Sequence, residues 1–157
     1  MSPSLAVRQE ESEFRARIRQ IRQAPPEFSA ALLDALNRFT ESRAFPSDAE
    51  EVAIELVSEN DGSLLGGVWG YTLFGSLCVD MIVVIDETAR KLGYGSKLMA
   101  AAEAVALSRG CHLMWLDTFA FQGTGFYEKL GFEVFGRQDG PAPIYPRYFM
   151  QKHISAG

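Results

Sequence analysis

The stretch that most restricts the fold runs from Leu77 to Phe119. An apolar run (Val79, Met81, Ile82, Val83, Val84, Ile85) stops at Asp86-Glu87, and the turn Arg90-Lys91-Leu92-Gly93-Tyr94-Gly95 follows it. A helical pattern then extends from Tyr94 to Ser108, small on one side at Ala100, Ala101, Ala102, Ala104 and Ala106, and Arg109-Gly110 ends it. Leu113-Met114-Trp115-Leu116-Asp117-Thr118-Phe119 is a second buried-looking strand. Strand, helix and strand in that order predict that Leu77–Ile85 and Leu113–Phe119 are parallel near-neighbours. Between the first strand and the helix, two glycines at an i, i+2 spacing let the backbone turn sharply and leave an approaching group unobstructed. The first helical N–H groups and the positive end of the helix dipole face that turn. These are the physical ingredients of a phosphate cradle.

The remaining elements follow from shorter patterns. Residues 1–13 are polar and read as a flexible N-terminal segment. Phe14-Arg15-Ala16-Arg17-Ile18-Arg19-Gln20-Ile21 fits an edge strand by its alternating arginines and a helical stripe by Phe14, Ile18 and Ile21. The strand reading is favoured because Pro25-Pro26 closes it and a helix opens there, with Phe28, Leu32, Leu33, Leu36 and Phe39 on one face. That helix ends near Ser42–Pro46. Val52–Ser58, the turn Asn60-Asp61-Gly62-Ser63 and Leu64–Thr72 make a hairpin. Gly66, Gly67 and Gly70 in its second strand point to a bulge or a close backbone approach. Gln122–Leu130 is a short helix ended by Gly131, Phe132–Arg137 a strand, Asp139–Pro146 an irregular loop and Arg147–Ile154 the last strand. One domain over residues 14–154, in the order β-α-β-β-β-α-β-α-β-β, is the expected organisation.

Composition narrows the function. At 157 residues, with 47% hydrophobic and 22% charged positions, the chain suits one globular domain with a real core. A formal charge of −5 and the lack of a basic, aromatic-laced stripe argue against nucleic acid. No apolar run approaches the roughly 20 residues that span a bilayer, and the N-terminus has no signal-peptide core, so no membrane and a cytoplasmic location are expected. Cys78 and Cys111 lie in apolar segments as small core residues of a reduced protein. His112 and His153 have no ligand-like spacing, and no metal is expected.

Taken alone, Gly93-Tyr94-Gly95 has several possible owners. A dinucleotide fold would want a third glycine near Leu98, although Asp117 lies roughly where a ribose-binding acid would sit. A Walker-type loop fails because the spacing to Lys97 is wrong. Arg90, three residues before Gly93, turns the stretch into Arg-x-x-Gly-x-Gly between a strand and a helix. That motif resembles the acetyl-CoA-binding motif of the Gcn5-related N-acetyltransferase (GNAT) superfamily. Phe126-Tyr127-Glu128-Lys129-Leu130-Gly131-Phe132 is similar to the superfamily's second recurrent motif. The element order matches over residues 14–154, which favours the strand at 14–21.

The resemblance implies an α/β (α+β) fold, with a mixed, mostly antiparallel sheet of about seven strands, helices on both faces, and a splay between the fourth and fifth strands. The pantetheine arm of acetyl-CoA, the co-substrate, would enter that splay. The amides of Val83, Val84 and Ile85 would hold the arm, and Arg90 with the amides of Lys91, Leu92, Gly93, Tyr94, Gly95 and Ser96 would bind the pyrophosphate. Tyr127 would sit near the sulfur and protonate the departing thiolate; a core or rim aromatic is the other reading of that residue. The implied reaction is acetyl transfer to a primary amine by direct attack. There are two departures. Ala120 occupies the place of an asparagine that contacts CoA seven residues before the motif tyrosine, with Gln122 as a candidate substitute, and Lys91 replaces a glycine.

Asp80 and Asp117 each interrupt an apolar strand, where a carboxylate needs a partner or a role. Either is a candidate general base or anchor for the acceptor ammonium, which carries a proton below a pKa of about 10.4, and an ordered water is the third candidate base. The alternatives are a solvated strand end or an ion pair, such as Asp117 with Arg147. Asp80 lies one residue off the register at which some family members place an acid, and a one-residue slip turns a side chain to the other face. Trp69, Tyr71 and Phe74 are either core or an acceptor wall, and the loop Gly140–Pro146 with Tyr145 is a second candidate wall. The expected acceptor is a small cationic amine, and a homodimer is compatible with the resemblance. A protein-amine acetyltransferase, a silent acyl-CoA-binding or sensor domain, and a structural partner-binding module are the competing readings.

Overall fold

The structure, a computed structural model, describes residues 16–44 and 47–155. The expected flexible segment at 1–13 lies outside the described residues. The chain divides near residue 39 into two compact units. In the first, residues 16–21 have no regular structure; the helix α1 (Pro26–Arg43), whose last turn passes the boundary, opens with Glu27 in its first turn and ends with Arg43 in its last. Phe14 and Arg15 are outside the described residues; over its described part the expected strand at 14–21 is absent. A strand exists by pairing, and every side chain from Ala16 to Ile21 is exposed, without a partner ladder. Among the described residues the sheet therefore has six strands, one fewer than expected.

The second unit is built from β1 (Glu50–Val57), β2 (Leu64–Leu73), β3 (Ser76–Val84), α2 (Glu87–Lys91), α3 (Tyr94–Ser108), β4 (Leu113–Phe119), α4 (Gly125–Lys129), β5 (Glu133–Gln138) and β6 (Arg147–His153). The strands lie in the order β1-β2-β3-β4-β6-β5, and only β3 and β4 are parallel neighbours. The β1–β2 hairpin closes as its turn residues require. Asp61 Oδ1 accepts from Ser63 N at 3.0 Å, and Ser58 N donates to Ser63 O at 2.9 Å.

Leu98, Met99, Ala102 and Ala106 form the buried stripe of α3. They share one core with Val52, Val68, Leu77, Val79, Met114, Leu116 and Met150 of the sheet. Full burial of a side chain such as Leu77 or Met114 contributes about 1.5–3 kcal/mol. Arg109, the C-cap of α3, ties the helix to the hairpin. Its guanidinium donates to the carbonyls of Glu50 (3.2 Å) and Glu51 (3.1 Å) and to Oγ1 of the buried Thr72 (3.2 Å).

Two irregularities in β3 position everything that follows. Trp69 is opposite Met81 while Gly70 is opposite Val79, so Asp80 is the extra residue of a β-bulge. A Cβ on Gly70 would lie 2.1 Å from the Cys78 carbonyl oxygen, which is the close approach expected for that glycine. The second irregularity is that the β3–β4 ladder runs only from Ser76–Leu113 to Val79–Leu116. Beyond it β3 continues to Val84 and β4 to Phe119 without pairing to each other, and this opening is the expected splay. A bulge bends a strand and increases its twist. Here the parallel pairing stops at the bulged residue.

Candidate active site

The cradle is assembled from the end of β3 onwards. Asp86 caps α2 by accepting from Ala89 N at 2.9 Å, and this single turn of helix, which strand and turn patterns did not predict, carries Arg90. Arg90 Nε donates to the Val84 carbonyl at 2.5 Å, which fixes the guanidinium against the open end of β3. Gly93 is the N-cap of α3 in the left-handed region (φ 77°), and no side chain caps the helix there. The first amides of α3 thus face outward with no competing side-chain acceptor.

Gly95 has a different reason to be glycine. A Cβ there would come 3.2 Å from Phe126 Cζ, so its absence lets α4 close on the first turn of α3. The two recurrent sequence motifs touch at this contact. Lys97 Nζ stands 4.5 Å from the centre of the Tyr94 ring and adds positive charge to the same mouth.

The opening between β3 and β4 has its own polarity. Ile85 N donates to Leu65 O at 2.7 Å, on the β2 side. Alternation along an antiparallel ladder gives Val83 the same direction and turns the Val84 and Ile82 amides towards β4. Of the three amides expected to line the gap, Val84 has the right orientation, and those of Val83 and Ile85 face β2. On the β4 side, Gln122 Oε1 accepts from Phe119 N (3.1 Å) and from Thr118 Oγ1 (3.4 Å). The Gln122 side-chain carbonyl therefore closes the free end of β4, and its Nε2 makes no hydrogen bond among the described residues.

Tyr127 is half-buried and meets Phe126 and Phe132 edge-on, with ring centres at 5.1 and 6.1 Å. Burial, and then the charge of Asp117, raise its phenol above the ordinary value of 10.0. The hydroxyl is therefore protonated at neutral pH and able to donate. Asp117 itself pairs with Arg147, whose Nε lies 2.5 Å from Oδ2. This is the ion pair weighed above as the structural alternative to catalysis. Arg147 also lies over the Phe119 and Phe149 rings, at 5.3 and 5.6 Å.

Asp80 is exposed, on the face of the sheet opposite α3, and no cation pairs with it among the described residues. Its Oδ1 lies 3.2 Å from the sulfur of Cys78. At the bulge Asp80 shares the outward face with Cys78 and Met81. On that face Trp69, Met81, Val83 and Ile85 line an apolar concavity of about 660 Å³. Trp69 Nε1 donates to Glu51 Oε1 at 2.6 Å. Phe74 does not belong with them: it sits in the β2–β3 turn, at the paired end of β3, with its amide bonded to Asp48 Oδ1. Tyr145 packs edge-on to Phe121 (5.4 Å), which stacks on Phe119 (5.3 Å), and these rings continue the aromatic surface past the end of β4. The Cys78–Asp80 pair was not singled out from the sequence, although an i, i+2 spacing in a strand places both on one face.

A sheet that opens between two parallel strands beside an uncapped helix N-terminus is the arrangement that the sequence resemblance implies, and similarity to known proteins shows the class, an acyl-CoA-dependent acetyltransferase. The chain belongs to the acetyltransferase (GNAT) family, whose model matches residues 15–132. It is 34% identical over 113 residues to an acetyltransferase of Agrobacterium fabrum, covering 72% of this chain and 81% of that one. It is 40% identical over 86 residues to the blasticidin-S acetyltransferase of Streptomyces morookaense, covering 54% of this chain and 60% of that one. The crystal structure of an acetyltransferase from Agrobacterium tumefaciens superimposes with a TM-score of 0.80 at 28% identity, over 88% of this chain and all of the other (100%).

Proposed function

We propose that this protein, through one catalytic domain over residues 14–154, moves the acetyl group of acetyl-CoA to a primary amine of a small cationic molecule by direct attack in a ternary complex. The observation that carries this reading is the open stretch of β3 beyond Val79. It offers backbone donors between the α3 cradle and the groups Asp80, Asp117 and Tyr127. The pyrophosphate lies on the first amides of α3 with Arg90 beside it. The Val84 amide faces the thioester, where a donor stabilises the developing oxyanion. The neutral amine nitrogen attacks the thioester carbonyl, the C–S bond breaks, the thiolate takes its proton from the Tyr127 hydroxyl, and the proton that the nitrogen loses as the amide forms restores the phenol. Asp80 receives the proton that the acceptor ammonium gives up. Asp117, already matched by Arg147, holds the field around Tyr127. Holding two reactants in line supplies much of the rate.

Three features favour a small acceptor over a protein. Asp80, with no cation partner among the described residues, suits a cation; the concavity lined by its neighbour Met81 is of the size that small-molecule sites occupy; and the blasticidin-S relative is named for such an acceptor. The cytoplasm is the expected location. Titration of CoA, followed by thiol release from acetyl-CoA with blasticidin S, spermidine, lysine amide and a lysine-bearing peptide, tests the reading. Micromolar CoA binding with thiol release by one of the small amines is expected. CoA binding without turnover of any amine would favour a sensor domain, release by the peptide alone a protein-amine acetyltransferase, and no binding would remove both enzyme and sensor.

A further inference from the structure

Cys78 is 4% exposed, and yet its sulfur reaches the carboxylate on which the proposed proton transfer depends. Three strands bring charged or titratable groups to it. Asp80 comes from its own strand, Tyr71 is its partner across the ladder on β2, and the charge of Asp117 on β4 acts on it from further off. Burial first, and then the bond to Asp80, push the thiol up to about 12, so it holds its proton at neutral pH. It is a donor there, not a nucleophile, and no acyl group passes through it. The Tyr71 phenol is raised as well, chiefly by Cys78, which the register sets directly opposite it across the ladder.

The two acids of the opening are thus held in opposite ways. Asp117 is gripped by a guanidinium that matches its charge. Asp80, on a bulge and exposed, is held through one oxygen by a neutral S–H. A neutral donor fixes direction without cancelling the charge that an arriving ammonium needs.

We propose that Cys78, backed by Tyr71, is the positioning residue for Asp80: its S–H fixes Oδ1 and leaves Oδ2 aimed at the acceptor nitrogen. The inference rests on the reading of Asp80 as proton acceptor. The test is a double-mutant cycle, measured as kcat and KM with the amine of the panel above that is turned over fastest. Asp80→Asn should lower kcat about 100-fold or more, in the range of general-base losses. Cys78→Ala should lower kcat about tenfold at unchanged KM for acetyl-CoA, and Cys78→Ser, which keeps a donor, should recover most of that loss. In the Asp80→Asn background, Cys78→Ala should cost nothing further.

An equal fold-loss from Cys78→Ala in both backgrounds, or a serine variant as slow as the alanine one, would overturn the positioning role while leaving Asp80 as base. Wild-type kcat in Asp80→Asn would instead remove Asp80 as base, and this inference with it. Should Cys78→Ala fail to fold, Tyr71→Phe replaces it in the same cycle. A severalfold loss of kcat that vanishes in the Asp80→Asn background is then expected, and a loss of equal size in both backgrounds would refute the relay through sulfur.

Discussion

Gly93 offers the sharpest test of how the cradle is built. Its φ of 77° lies in the left-handed region, and a Cβ added there would meet no atom within 4 Å. Gly93→Ala therefore carries no packing term, only the backbone cost of holding an L-residue in that region, roughly 1–2 kcal/mol. For a domain of this size each kcal/mol moves Tm by a few degrees, so a fall of roughly 2–8 °C is expected. If the chain relaxes φ to escape the strain, the first amides of α3 turn away from the anion and CoA binding weakens too. Asparagine enters the left-handed region at lower cost. Gly93→Asn should therefore keep most of the stability and most of the affinity. Thermal unfolding by circular dichroism and calorimetric titration with CoA measure both effects on the same samples. Asn and Ala variants that fall equally far, or an Ala variant that keeps both Tm and CoA affinity, would refute the assignment of Gly93 to backbone conformation.

Other consequences are as direct. Arg109→Ala removes hydrogen bonds from a guanidinium to two carbonyls and to Thr72; a loss of about 2 kcal/mol in urea unfolding, with KM unchanged, is expected. Tyr127→Phe should lower kcat at least 100-fold and leave CoA affinity within a factor of two or so, and unchanged turnover would remove its role as proton donor. The Cys78 thiol titrates near 9.0 when unfolded and at about 12 when folded. A group whose folded pKa is raised contributes stability below its unfolded pKa and loses it as pH rises through the folded one. Stability should therefore decline between about pH 9 and 12, and Cys78→Ser, whose hydroxyl does not titrate there, should flatten that decline in urea titrations run across the range.

The parts of this protein that were legible in its sequence are those set by local pattern. The α3 helix begins at Tyr94 and ends at Ser108 as read, because a glycine N-cap and the Arg109-Gly110 end are chain-local signals. The same holds for β4, an apolar run between a glycine turn and a loop. Over its described part, residues 16–21, the expected first strand is absent for the opposite reason: alternation alone does not create a partner ladder. The facing of the Val83–Ile85 amides was misjudged because parity along β3 is set by which residue bonds to Leu65, across the sheet. Gln122 and Arg147 were both named from the sequence. Their engagement with the Phe119 amide and with Asp117 depends on how loop and strand fold back, and no spacing encodes that.

The bulge at Asp80 also bears on how such a site is gained or lost. Before it, Leu77 and Val79 point under α3; after it, Ile82 and Val84 do, while Met81 and Val83 point away. Skipping one residue restores the inside–outside phase, so the core reads the strand as though Asp80 were not there. Deleting Asp80 would leave a regular strand with every apolar residue on its present side, and the sheet should survive it. The carboxylate is in effect an insertion that the framework does not count. A fold of this kind can therefore exchange the chemistry at its opening by single-residue insertion or deletion, without renegotiating the packing that holds it together.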